Sequence, residues 1–140
     1  RMSIQRVFLI RHGETEWSLS GQHTGITDIP LTENGRMMPR LLAPILAKVT
    51  FARVLASPLQ RARETCALAG LAERAEIDDD LVEWNYGDYE GLTPRQIDAK
   101  VPGWMLFRDG CPGGEGPEDV GRLADHGRAR LASEIAALSC

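Results

Sequence analysis

The sequence is short of positive charge. Lys and Arg number 16 against 20 Asp and Glu, a net charge of −4, so the basic surface that grips a nucleic-acid backbone is not expected. It also lacks a long apolar run. None approaches the ~20 residues of a membrane-spanning helix and no signal peptide precedes the first strand, so no membrane partner is expected. Cysteine is scarce and odd in number: Cys66, Cys111 and Cys140 lie far apart. That argues against a disulfide framework and fits reduced thiols in a cytoplasmic setting. Internal repeats, low-complexity tracts and linkers are missing as well. The 140 residues therefore read as one domain, expected to run from residue 2 to residue 140 with Met2 as its native start. With 43% hydrophobic and 26% charged residues, the chain has the composition of a globular domain with a core of its own.

What is present alternates along the chain. Val7 to Ile10 is a short apolar run and reads as a buried strand. Residues 18–30 are turn-rich. Thr32 is a candidate N-cap for a helical pattern reaching about Lys48, but Pro39 and Pro44 fall inside it. An interior proline costs ~3 kcal/mol, which predicts a kink or break. Arg53 to Ala56 reads as a second strand. Ser57 as N-cap and Pro58 at the first helical position then open a helix. Leu59, Ala62, Cys66 and Ala69 form its inner face, and Gly70 stops it. Glu76 and Ile77 suggest a short third strand. Residues 78–91 are loop-like, 94–101 a short helix, and 108–117 a glycine-proline loop. A last helix is expected from about Glu118 to Leu138, with Val120, Leu123, Ala124, Leu131, Ile135 and Leu138 on its apolar face. Strands alternating with helices predict an α/β domain with a largely parallel sheet.

The chemistry gathers where strands end. In open α/β sheets ligands bind outside the carboxyl ends of the strands. Arg11 and His12 leave the first strand in "LIRHGETEW", and Ser57 and Arg61 follow the second, so both points can face one crevice. A histidine so placed serves as nucleophile, base, metal ligand or structural residue. Neither His12 nor His23 has partners at metal-ligand spacing, so no metal is expected. The flanking arginine favours an anion, because guanidinium binds phosphate bidentately and keeps its charge. Other candidates read as structural. His126 lies roughly 120° from the apolar face of the last helix and is expected in solvent. His23 is expected in a structural or solvent-facing role near the pocket mouth. Asp78, Asp79 and Asp80 read as a solvated turn, and Cys66 as core. Arg63 fits either the phosphate site or an ion pair with Glu64 or Glu73.

"LIRHGETEW", "TGITDIPLTENG", "SPLQRARETC" and "LVEWNYGDYEG", in that order, resemble the histidine phosphatase superfamily, also called phosphoglycerate-mutase-like. The resemblance implies a three-layer α/β sandwich, a central mostly parallel sheet with helices on both faces. It implies that His12 is a nucleophile that becomes a phosphohistidine, that Arg11 and Arg61 clamp the phosphoryl group, and that Glu83 is the proton donor. It implies no cofactor. These roles suit phosphoryl transfer, where catalysis is mostly positioning and charge neutralisation. A neutral imidazole splits hydrolysis into two easier steps, and a carboxylic acid protonates the leaving alkoxide. Burial near Trp84 would raise the Glu83 pKa, and nearby arginines would lower it.

"EWSLSGQHTGITDIPLT", "DDDLVEWNYGDYEGL" and "WMLFRDGCPGGE" further resemble the fungal sedoheptulose-1,7-bisphosphatase branch. Ser18 stands where mutases carry asparagine, and the "RDGCPGGE" loop stands where they carry paired arginines. The implied substrate is a small sugar phosphate or bisphosphate. Ser18, Thr24 and Gly25 would contact it, Tyr86 would line the pocket beside Glu83, and Arg108 would meet a distal phosphate. The alternative for Arg108 is a surface ion pair with Asp109 or Glu115.

The chain departs from the family at its end. The family's second histidine lies in a late "HG" motif on a strand after the last helix, and this chain stops at Cys140. The resemblance thus implies a domain truncated at its C-terminus. Its sheet would be one strand short, with an exposed edge open to a second copy of the chain. Its pocket would be one donor short, a deficit of about 10²–10³ in rate. Three readings follow: a metal-independent sugar-phosphate phosphatase, a phosphoglycerate mutase, or a weakly catalytic module that binds phosphorylated ligands.

Overall fold

The structure is a computed structural model that describes residues 6–130 and 135–139, with side chains through residue 125. Its centre is a four-stranded sheet. The strands are β1 (Val7–Arg11), β2 (Arg53–Ala56), β3 (Ala75–Ile77) and β4 (Ile135–Ser139), in the order β1-β4-β2-β3. Every pairing is parallel, with Val7 opposite Ile135 and Arg11 opposite Ser139. The α/β class and the first three strands are as expected.

The last element is not. The final helix, α6 (Pro117–Arg130), does not reach Leu138, and Ile135 and Leu138 lie on a strand rather than a helix face. The strand placed beyond Cys140 by the sequence is therefore present, at the middle of the sheet. Ile135–Ser139 is five residues with no turn signal, and such a run reads equally as helix or strand. Insertion between β1 and β2 gives its backbone partners on both sides. Leu131 and the side chain of His126 lie outside the described residues.

Among the described residues five further α-helices precede α6: α1 (Glu16–Ser20), α2 (Met37–Leu46), α3 (Gln60–Leu68), α4 (Pro94–Lys100) and α5 (Leu106–Asp109). α1 was hidden in the turn-rich stretch. Thr15 caps it reciprocally with Ser18, a spacing that marks a helix start. α2 does not break at its prolines. Pro39 sits in the first turn, where a missing N–H costs nothing, and the helix runs on through Pro44. α3 begins at Gln60 rather than Pro58. Its cap comes from elsewhere: Asp28 Oδ1 accepts from Gln60 N–H at 2.7 Å. α4 is capped by Thr93 and Gln96 with Pro94 in its first turn.

Two apolar clusters result. On one face of the sheet Leu46, Val54, Ala56, Cys66, Ala69 and Leu71 pack with Phe8 and Ile10. Trp84, Tyr89, Ile97 and Cys111 form a second cluster beneath the loops. The alternate residues of β1 face the other way, and Val7 and Leu9 are 48% and 73% exposed among the described residues. No helix among the described residues is long and apolar enough to cross a membrane.

Candidate active site

β1 delivers His12 to the carboxyl edge of the sheet. Its Nδ1 lies 2.6 Å from the carbonyl of Gly13. A carbonyl only accepts, so Nδ1 carries the hydrogen and Nε2 is left with the lone pair in the neutral ring. The ring stays neutral readily. Burial lowers the His12 pKa below its ordinary 6.5, and the charges of Arg61 and Arg11 lower it further, against the Gly13 carbonyl and Glu83. Gly13 is required by a neighbouring backbone: a Cβ there would sit 1.9 Å from the Gly35 carbonyl oxygen.

A cavity of about 150 Å³ opens at this point, lined by Arg11, His12, Ser18, Gln22, His23, Thr24, Glu83 and Tyr86. Six of the nine expected residues therefore line it: Arg11, His12, Ser18, Thr24, Glu83 and Tyr86. Ser18 brings less chemistry than expected, because its hydroxyl accepts from Thr15 N–H and donates to Thr15 carbonyl, both at 2.9 Å. Glu83 accepts from Trp84 N–H at 2.8 Å and also borders a mostly apolar second cavity with Leu81, Val82, Val120 and Leu123.

Arg61 stands behind the cavity. It is 0% exposed and donates to the carbonyls of Thr27 at 2.9 Å and Gly25 at 2.7 Å. Its charge reaches His12. Gly25 thus serves Arg61 and is not on the cavity wall; a Cβ there would lie 1.9 Å from the Trp84 carbonyl oxygen. Arg108 takes the alternative, a surface ion pair with Asp109. It is 61% exposed on its side chain, bonds Asp109 and the Gly103 carbonyl, and does not reach the cavity. Its sequence neighbour is the nearer anion.

Other residues moved as well. His23 lines the cavity, with its ring 4.7 Å from that of Tyr86 and 5.9 Å from that of Trp104. Burial lowers its pKa, against Glu90. Asp78 is buried rather than solvated, and accepts from Asp80 N–H. Glu64 pairs with Arg36, not Arg63. Gln22 and Glu90 were not singled out, although they stand inside the motifs "EWSLSGQHTGITDIPLT" and "LVEWNYGDYEG"; as single polar residues in loops they gave no sign of their partners. Gln22 reaches the cavity while donating to the Gly91 carbonyl at 2.7 Å. His12, Arg11 and Glu83 thus share one cavity, with the buried Arg61 guanidinium behind it acting on His12 through its charge, an arrangement suited to holding and attacking a phosphoryl group.

Residues 7–138 match the model of the histidine phosphatase superfamily (branch 1). The chain is 43% identical over 122 residues to an acid phosphatase of Mycobacterium tuberculosis, covering 86% of this chain and 60% of that protein. It is 38% identical over 150 residues to sedoheptulose 1,7-bisphosphatase of Saccharomyces cerevisiae, covering 90% and 55%. The solved structure of an open reading frame product of Mycobacterium tuberculosis superposes with a TM-score of 0.87 at 38% identity, over 96% of this chain and 73% of that one. The chain thus spans 60% and 55% of the length of the two relatives compared by sequence. It belongs to the histidine phosphatase superfamily.

Proposed function

We propose that the chain hydrolyses a small phosphate monoester, a sugar phosphate or bisphosphate, through a phosphohistidine on His12. The observation that carries this is the Nδ1 bond of His12 to the Gly13 carbonyl at 2.6 Å, which leaves Nε2 as nucleophile in a cavity shared with Arg11 and Glu83. In the first step Nε2 bonds to phosphorus, the ester P–O bond breaks, and the leaving oxygen takes a proton from Glu83. In the second, water attacks phosphorus, gives its proton to Glu83, and the N–P bond breaks. Arg11 and Arg61 supply the positive charge that a metal supplies in many phosphoryl-transfer sites. The names of the two relatives, an acid phosphatase and a sugar bisphosphatase, support the substrate class.

The test is phosphate release from sedoheptulose-1,7-bisphosphate in EDTA, for the chain and for His12→Ala. Turnover is expected without metal, and His12→Ala should lower it by at least about 10³-fold. Equal turnover by His12→Ala would refute the mechanism. Transfer of phosphate between positions of the substrate would instead assign a mutase, and saturable binding without turnover a binding module.

A further inference from the structure

Glu90 lies outside the cavity wall, yet its carboxylate takes four hydrogen bonds from the site's two loops. Oε2 accepts from Gly25 N–H at 3.0 Å and from the Thr27 hydroxyl at 2.8 Å. Oε1 accepts from Ile26 N–H at 2.8 Å and from Tyr86 N–H at 3.3 Å. The residues it grips are those that grip Arg61. The peptide group joining Gly25 to Ile26 gives its carbonyl to the Arg61 guanidinium and its N–H to Glu90. Thr27 gives its carbonyl to Arg61 and its hydroxyl to Glu90.

We infer that Glu90 is a positioning residue that fixes the Arg61 guanidinium in the phosphoryl site through the Gly25–Ile26 peptide group and Thr27. The physical case has two parts. Residues 25–27 belong to no helix or strand; the Thr27 carbonyl accepts a turn bond from Ile29 N–H at 2.9 Å, and the Gly25 carbonyl is left to be set by what holds its peptide group. Glu90 holds it. A peptide group held between a cation and an anion is also polarised along its dipole, which strengthens both bonds. The anchors at Gly25 and Thr27 are carbonyls, which orient a cation without cancelling its charge. The negative charge that organises the loop stays one peptide group from the guanidinium. The bond to Tyr86 N–H extends the same carboxylate to the loop that carries Glu83. One residue therefore ties the phosphate clamp to the proton donor's loop.

This rests on the reading of Arg61 as part of the phosphoryl site. The test uses orthovanadate, a mimic of the phosphoryl-transfer geometry, so no turnover is needed. Its affinity is measured for the chain, Glu90→Gln, Arg61→Lys and the double variant, and the His12 ring is titrated by NMR in each. The Gln amide turns a donor toward donors, so Glu90→Gln should weaken orthovanadate roughly tenfold. It should also raise the His12 midpoint as Arg61 withdraws. On Arg61→Lys the same change should add less than about twofold, since the group it positions is gone. An equal loss in both backgrounds, or an unchanged affinity and midpoint, overturns the inference. General destabilisation would not produce the non-additivity. Should Glu90→Gln fail to fold, Thr27→Val removes one of the four bonds and is read by the same cycle. A chain that binds no orthovanadate at all would overturn the phosphoryl-site reading together with this one.

Discussion

His12 and His23 are imidazoles whose pKa values are both held below the ordinary 6.5, chiefly by burial. The consequence for activity is direct. Neutral His12 persists to lower pH than an exposed histidine, so the acid limb of kcat/KM should fall below 6.5. The consequence for stability has the matching sign. Below pH 6.5 the unfolded chain takes up protons that the folded chain refuses. Stability is therefore full above that value and is lost as pH falls through it toward the lowered folded values. Urea unfolding at pH 7.5 and 5.5 should show this loss, and His12→Asn should reduce it; equal midpoints at the two pH values would contradict it. At this scale the sequence was most legible where several residues act together. Arg11, His12, Arg61 and Glu83 stand in motifs, and the structure puts Arg11, His12 and Glu83 on one cavity with Arg61 behind it. For Arg108 the two readings stayed open in the sequence, and its ion pair with the adjacent Asp109 is the alternative of the two, a choice that spacing alone does not rank. Glu90 was not visible, because its four donors come from residues 25–27 and from Tyr86.

Among the elements, α2 carries the clearest local conflict. Pro44 lies inside it and removes the bond to the carbonyl of Arg40, four residues earlier. The site is exposed, so substitution disturbs little packing. Pro44→Ala should stabilise the chain by about 2 kcal/mol, the ~3 kcal/mol helix penalty less the ~1 kcal/mol by which proline restrains the unfolded chain. A higher urea midpoint with an unchanged slope would bear this out, and a lower midpoint would show that the proline serves packing. β1, β2 and α4 were readable from local signals: an apolar run, a second such run, and a Thr-Pro helix start. The start of α3 was misplaced by two residues because its cap is Asp28, 32 positions earlier. No local pattern records a cap supplied from that distance.

At the scale of the whole molecule β4 holds the sheet together. It is the strand between β1 and β2, and among the described residues β1 has no other strand neighbour. Ending the chain at residue 130 should therefore abolish cooperative urea unfolding and bring out binding of an apolar dye, because β1 loses its ladder and the edge of β2 opens. Cooperative unfolding of that shortened chain would show that α2 and α3 alone hold β1. β4 was also the element least legible in sequence. Its strand character comes from two partners that precede it by many residues, and a five-residue apolar segment does not announce them. The same placement bears on how the chain is made. The ribosome releases β1 well before the strand it pairs with, since Val7 stands opposite Ile135. The sheet cannot zip up as it emerges, so β1 must wait until β4 has been made. Contacts so distant in sequence slow folding, and chaperone shelter during that interval matters most for the first strand, which carries the nucleophile at its end.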